Sequence, residues 1–196
     1  MKAYYEARAG EYDDWWLGRG RFVDRVRPGW DDEVAELTGV LAALPPARTL
    51  DVACGTGFLT QHLPGEIVGL DQSESMLEIA RERMPDATFV RGDGIDLPFE
   101  DGDFDRLFTS YFYCHLEADE RERFLAEGRR VARELVLVGS PWREGEEPAR
   151  YEERILNDGS RWQVFKRVFV PEELLPELGG GEILHRGARY FLVVRA

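Results

Sequence analysis

The stretch from Thr49 to Thr60, T-L-D-V-A-C-G-T-G-F-L-T, constrains the fold more than any other part of the chain. Pro45 and Pro46 precede it, and proline lacks the amide hydrogen that a helix interior needs, so no helix continues into it. Leu50, Val52 and Ala53 then read as a short buried strand. Gly55 and Gly57 bracket a tight turn, where a missing Cβ lets the backbone approach a ligand. Phe58, Leu59 and Leu63 start an apolar face with helical spacing, which predicts a crossover helix ended by Pro64 and Gly65. Strand, glycine turn and helix together aim free backbone N–H groups at a nucleotide-like ligand.

A glycine pair alone is a weak signal, because tight strand–helix turns occur in many α/β proteins. Asp51 sharpens it: an acid stands inside the strand, where a plain buried strand carries an aliphatic residue. A second strand, Ile67 to Asp71, ends in an acid twenty residues after Asp51. A third, Ala87 to Asp93, also ends in an acid and is followed by Gly94. Acids and glycines at the carboxyl ends of successive strands build one crevice along one edge of a sheet.

Four motifs now stand in a fixed order. They are D-V-A-C-G-T-G at 51–57, G-L-D-Q-S at 69–73 with Met76, G-D-G-I-D-L-P-F at 92–99, and D-F-D-R-L-F-T-S at 103–110. Over the region from Thr49 to Pro141 the chain resembles the class I methyltransferases that use S-adenosylmethionine. The lead-in Y-Y-E-A-R-A-G-E-Y-D at 4–13 resembles that of the family's small-molecule members. The resemblance implies an α/β fold with a doubly wound, seven-stranded, Rossmann-like sheet. That sheet is expected to be mostly parallel with an antiparallel C-terminal strand, under N-terminal lid helices. One domain is expected over 1–196, with a lid region at 1–45 and a core at 46–196.

The same resemblance implies the site. Tyr12, Asp51, Ala53, Gly55 and Gly57 are expected at the cofactor, with Asp71, Gln72 and Met76 from the second motif. Asp93, Gly94, Ile95 and Ser110 complete the set. A carboxylate at Asp71 can accept both hydroxyl hydrogens of a ribose. Asp93 can accept from the exocyclic amine of adenine while the N–H of Gly94 or Ile95 donates to the ring. Met76 fits an adenine pocket and fits plain core equally well, since methionine suits both. Tyr4, Tyr111 and Trp142 are candidate substrate contacts. His115 is the histidine nearest the expected centre. It reads either as a general base or as a hydrogen-bonded residue leading into a helix.

Composition removes other classes. A chain of 196 residues suffices for one α/β domain with a substantial core. Hydrophobic residues at 43% and charged residues at 32% fit a folded domain rather than a disordered one. No apolar run approaches the ~20 residues of a membrane span, and the N-terminus has no apolar signal core, so a cytoplasmic protein without membrane attachment is expected. A formal charge of −13 repels phosphate backbones, so nucleic acid is disfavoured and a small-molecule acceptor is expected. Cys54 and Cys114 form neither a disulfide framework nor a metal-ligand spacing, so no metal is expected. A monomer and a homodimer both fit.

Elsewhere, residues 2–17 read as one amphipathic helix, with Tyr4, Arg8 and Tyr12 on one face as a lid over the cofactor. Arg19, Arg21, Arg25 and Arg27 read either as a solvated face or as an anion-binding patch for an acidic substrate. Asp31 is the expected cap of a helix running through Leu44. A helix is expected from Asp119 to Arg133, and strands at Leu135–Gly139, Trp162–Val170 and Tyr190–Arg195, the last two as an edge hairpin. The polar stretch 143–161 reads as a variable segment, with Trp142, Arg150, Tyr151 and Arg154 as candidate substrate contacts. Two other functions remain in view: a non-catalytic cofactor-binding or interaction protein, and an NAD-dependent oxidoreductase. Against the second, Thr60 stands where the dinucleotide fingerprint has its third glycine.

Overall fold

The structure is a computed structural model and describes residues 2–196. Five strands run parallel: β1 (Ala47–Val52), β2 (Gly65–Asp71), β3 (Thr88–Arg91), β4 (Phe104–Ser110) and β5 (Ala132–Gly139). A hairpin, β6 (Ala149–Ile155) with β7 (Arg161–Arg167), stands outside their sheet. β8 (Glu182–Arg186) and β9 (Leu192–Arg195) pair antiparallel, and β9 adds antiparallel to β5. The main sheet therefore has the order β3-β2-β1-β4-β5-β9-β8, the doubly wound arrangement expected.

The central strands are buried on both faces, which is why they read as apolar runs rather than alternations, while the edge strands β3 and β8 stay partly exposed. Successive side chains still point to opposite faces. Leu107, Leu137 and Leu192 join one core, closed by Phe124 of α5 (Ala118–Val131) and Leu174 of α6 (Pro171–Glu177). Phe108, Val136 and Val193 join the other, closed by Leu37 and Leu41 of α3 (Trp30–Ala42). Burying one such side chain stabilises the fold by ~1.5–3 kcal/mol, so each face is held by many comparable contributions.

Several local expectations need correction. Residues 2–17 do not form one helix; α1 (Lys2–Arg8) gives way to a 3-10 turn at Ala9–Glu11, then to α2 (Asp14–Leu17). Gly10 stands at the break, and glycine costs a helix interior about 1 kcal/mol relative to alanine. The β1–β2 crossover holds a 3-10 turn at Thr60–His62 instead of an α-helix. Too few residues separate Gly57 from Pro64 to offset helix nucleation, although Leu59 and Leu63 are buried as their pattern required. Gly29, in a left-handed conformation at φ 75°, occupies the N-cap of α3, and Asp31 lies in its first turn beside Asp32 and Glu33. Ser73 does cap α4 (Glu74–Arg83), its hydroxyl accepting from the Met76 amide at 3.2 Å.

The largest correction concerns residues 143–161. They hold β6, and β7 pairs with it rather than with the C-terminal strand. Gly159, at φ 84°, follows Asp158 in the turn that joins them. Asp-Gly is a strong short-range hairpin signal, so the turn was present in the sequence. The edge hairpin does exist, formed by β8 and β9. Tyr4 of α1, Leu156 and Val164 share a small core of their own, so the N-terminal segment packs on the extra hairpin. Among the described residues no helix is long and apolar enough to cross a membrane.

Candidate functional site

β1 and β4 are neighbours, but the chain leaves β1 toward β2 on one flank and leaves β4 toward β5 on the other. Ligand crevices open at such a switch point, beyond the carboxyl ends of the strands. A cavity of about 430 Å³ lies there, within the ~300–1,000 Å³ typical of small-molecule sites. Ala53 and Gly55 line it from the end of β1, Asp71 and Gln72 from β2, and Asp93, Gly94 and Ile95 from beyond β3. Ser110 and Tyr111 reach it from the end of β4. Ala53 and Tyr111 hold φ of 60° and 55°, a conformation that L side chains rarely adopt and that clusters at ligand sites.

Asp71 is the best-positioned acid. One oxygen accepts the Gly55 amide at 2.9 Å and the other accepts the Ser73 amide at 2.9 Å. Each oxygen keeps a second lone pair for a ligand donor. Burial raises its pKa, against the lowering effect of those amides. Asp93 is more open; its Oδ1 accepts the Ile95 amide at 3.1 Å. Gly94 is fixed by space: a Cβ there would meet Phe112 at 2.7 Å and Val52 at 2.9 Å.

Five expected site residues do not line this cavity. Asp51 is 1% exposed and points inside; its Oδ2 accepts from the Thr60 hydroxyl at 2.5 Å, while its Oδ1 has no partner. Burial pushes its pKa up to about 8. Gly57 serves turn geometry at φ 74°, packed beside Ala80 and Met84 of the following α4 region. Met76 is 1% exposed and stands among the buried residues rather than on the cavity wall. Tyr4 is buried beneath the hairpin, and its hydroxyl accepts from Arg8 at 2.7 Å. Trp142 points outward, donating its Nε1–H to the Glu146 carbonyl at 2.9 Å.

The N-terminal segment crosses the site. Tyr12 lies over the glycine turn, its ring within 3.7 Å of where a Gly55 Cβ would stand. Arg8 sits 4.9 Å from the Tyr12 ring centre, a cation–π contact. Asp13 accepts from the Thr56 hydroxyl at 2.6 Å and pairs with Arg83, which ties the segment to the turn.

A second cavity of about 390 Å³ adjoins the first and shares Tyr5, Tyr12, Tyr111 and His115 with it. His115 Nδ1 lies 2.6 Å from the Phe165 carbonyl oxygen. That partner only accepts, so Nδ1 carries the hydrogen and Nε2 is left as an acceptor. Burial pushes the His115 pKa down to about 4, and burial raises those of Tyr5, Tyr12 and Tyr111. At neutral pH the junction is therefore uncharged. Tyr5, Tyr151, Gln163 and Phe165 also line the first cavity, and three of these four come from the β6–β7 hairpin, whereas the sequence pattern pairs Trp162–Val170 with the C-terminal strand.

A methyltransferase-domain family model matches residues 50–136. The demethylmenaquinone methyltransferase of Thermotoga maritima is 38% identical over 107 residues, covering 52% of this chain and 44% of that protein. A protein of the same name from Renibacterium salmoninarum is 36% identical over 107 residues, covering 53% and 43%. The chain thus spans less than half the length of these curated relatives. The solved DhpI–SAM–HEP complex superposes with a TM-score of 0.77 at 25% identity, over 98% of this chain and 94% of that one. PH0226 from Pyrococcus horikoshii shares the fold, with a TM-score of 0.71 at 20% identity over 100% and 98% of the two chains. Motif order, strand order and these likenesses agree: residues 50–136 match a methyltransferase domain, and the chain as a whole shares the fold of the solved DhpI–SAM–HEP complex.

Proposed function

We propose that this chain transfers the methyl group of S-adenosylmethionine to a small-molecule acceptor, releasing S-adenosylhomocysteine. The observation that carries the reading is the convergence of Asp71, Asp93 and Gly94 on one cavity that opens into a second. The residues present fit the cofactor: Asp71 offers a carboxylate with free lone pairs for a ribose, and Gly94, hemmed in by the Phe112 and Val52 side chains, leaves its backbone bare toward an adenine.

When bound, the cofactor supplies a methyl already activated on a sulfonium, so the protein's task is alignment and exclusion of water. Asp71 accepts the ribose hydroxyls, with Gly55 and Ser73 holding its plane. Asp93 accepts from the adenine amine, and the amide of Gly94 or Ile95 donates to the ring. Tyr12 and Arg8 would cover the methionine end, and Ser110 and Tyr111, at the end of β4, would border the methyl. His115 orients an acceptor through Nε2 rather than removing a proton, because its pKa near 4 makes it a weak base.

Against the dinucleotide alternative, Thr60 occupies the place of the fingerprint's third glycine, and its side chain packs inward against Asp51. Incubation with methyl-labelled cofactor and a panel of small acceptors tests the reading. Transfer to at least one acceptor is expected. Cofactor binding without transfer to any would favour a non-catalytic binding protein.

A further inference from the structure

We propose that the second cavity is the acceptor subsite and that it takes a small molecule bearing an oxyanion: a phosphate, a phosphonate or a carboxylate. This rests on the methyl-transfer reading for the first cavity. The chain carries a formal charge of −13, yet this cavity gathers cations. Arg25 and Arg27 come from the loop before α3, Arg150 and Arg154 from β6, Lys166 from β7, and Arg189 from the loop before β9. Four segments distant in sequence thus converge with one sign of charge.

The charge is not cancelled locally. Glu146 and Glu152 are the acids in the lining. Glu146 pairs with Arg143, and Glu152 is shared between Arg150 and Arg154. Among the described residues, no carboxylate pairs with Arg25, Arg27, Lys166 or Arg189. Arg8, also in the lining, is assigned to the carboxylate end of the cofactor. One such carboxylate cannot answer the other cations.

The cations are held in place. Arg27 donates to the Trp15 carbonyl at 2.6 Å and lies 3.9 Å over the Trp30 ring. The Arg189 loop is fixed because the buried Glu33 carboxylate accepts the Arg189 and Tyr190 amides, both at 2.9 Å. Lys166, in the lining of the second cavity only, lies 5.8 Å over the Tyr111 ring. Desolvation lowers the pKa of both Lys166 and Arg27, a cost that a bound anion relieves.

Size and bulk charge choose among anions. A cavity of about 390 Å³ admits a small acid. A polyanion would meet the repulsive field of the whole protein, whereas a small ion feels mainly the local cluster. The uncharged junction agrees with this choice. An oxyanion arrives with its lone pair free and needs no proton removed.

The test is titration calorimetry with inorganic phosphate, methylphosphonate and acetate at constant ionic strength, on S-adenosylhomocysteine-saturated protein. Wild type, Lys166→Gln and the double variant Arg25→Gln/Arg189→Gln are compared, each first titrated with S-adenosylhomocysteine alone. The expected result is millimolar binding of at least one anion, weakened about tenfold or more by each variant, with S-adenosylhomocysteine affinity within about twofold of wild type. Preference for phosphate and phosphonate over acetate identifies a tetrahedral dianion, and the reverse identifies a carboxylate. Product binding with no anion binding up to about 50 mM would overturn this inference and leave the cofactor reading standing. Anion binding that the variants do not weaken would overturn it too. Anion binding without product binding removes the cofactor reading, and the acceptor role with it.

Discussion

The carboxylate of Asp71 accepts the Gly55 amide at 2.9 Å, so the acid that ends β2 and the turn that ends β1 are one unit. The turn therefore presets the acid, and the acid holds the turn open. Asp71→Asn keeps the shape but loses the charge and one acceptor. Cofactor affinity is expected to fall by about 2 kcal/mol, roughly thirtyfold in Kd. Calorimetry with S-adenosylhomocysteine checks this, and an unchanged Kd would contradict the ribose assignment.

Gly94 gives a steric test of the adenine end. In Gly94→Ala the new Cβ would meet the side chains of Phe112 at 2.7 Å and Val52 at 2.9 Å, so either the Phe112 ring or the loop that carries Asp93 shifts. Overpacking of this kind costs about 1–3 kcal/mol. Both the melting temperature and product affinity are expected to drop. A variant that melts lower but binds normally would confine Gly94 to packing.

The five parallel strands, β9 and the acids at the strand tips were legible in the sequence, because buried strands read as apolar runs closed by polar residues; β8, with an exposed and charged pattern, was not. Side-chain direction was not. Asp51 sits in the same motif as Gly55, yet strand alternation turns it into the interior while the turn residues meet the cavity. Tyr4 carried the right face for a lid, but the β6–β7 hairpin covers it. That hairpin was the main omission: its charged strands hide behind Arg–Glu pairs such as Arg154–Glu152 and Arg161–Glu153, and its Asp158-Gly159 turn was the available signal. The basic loop at Arg25 and Arg27 was visible as a cluster, but its partners at 150–154, 166 and 189 are brought to it only by the fold.

Asp51 and His115 give opposite pH dependences. Asp51 has its pKa raised from 3.8 to about 8, so the folded state keeps its proton longer and stability falls as pH rises through that window. His115 has its pKa lowered from 6.5 to about 4, so the unfolded chain takes its proton first and stability is lost as pH falls through that window. The two oppose below about pH 6.5, and above it only the Asp51 slope remains of the pair. Melting temperature is expected to decline between about pH 6.5 and 8, and Asp51→Asn is expected to flatten the decline. Equal slopes in both proteins would show that Asp51 ionises freely in the fold.

Arg83 ties the N-terminal cover to the glycine turn. It donates to the Thr56 carbonyl at 2.5 Å and pairs with Asp13. Arg83→Met keeps the length and removes both contacts. Product affinity is expected to weaken by about 1–3 kcal/mol, with faster amide exchange across residues 2–17. Unchanged exchange would mean that the other ties of this segment, the Tyr4 core and the Glu6–Ser75 hydrogen bonds, hold the cover without Arg83.

The most direct measurement is titration of the native protein with S-adenosylhomocysteine while following the amide resonances of Gly55, Asp71, Gln72, Asp93 and Gly94. The account expects saturable one-site binding that shifts all five, since these strand tips line one cavity. No saturation at millimolar ligand, or saturation that moves other residues and leaves these five in place, would contradict it.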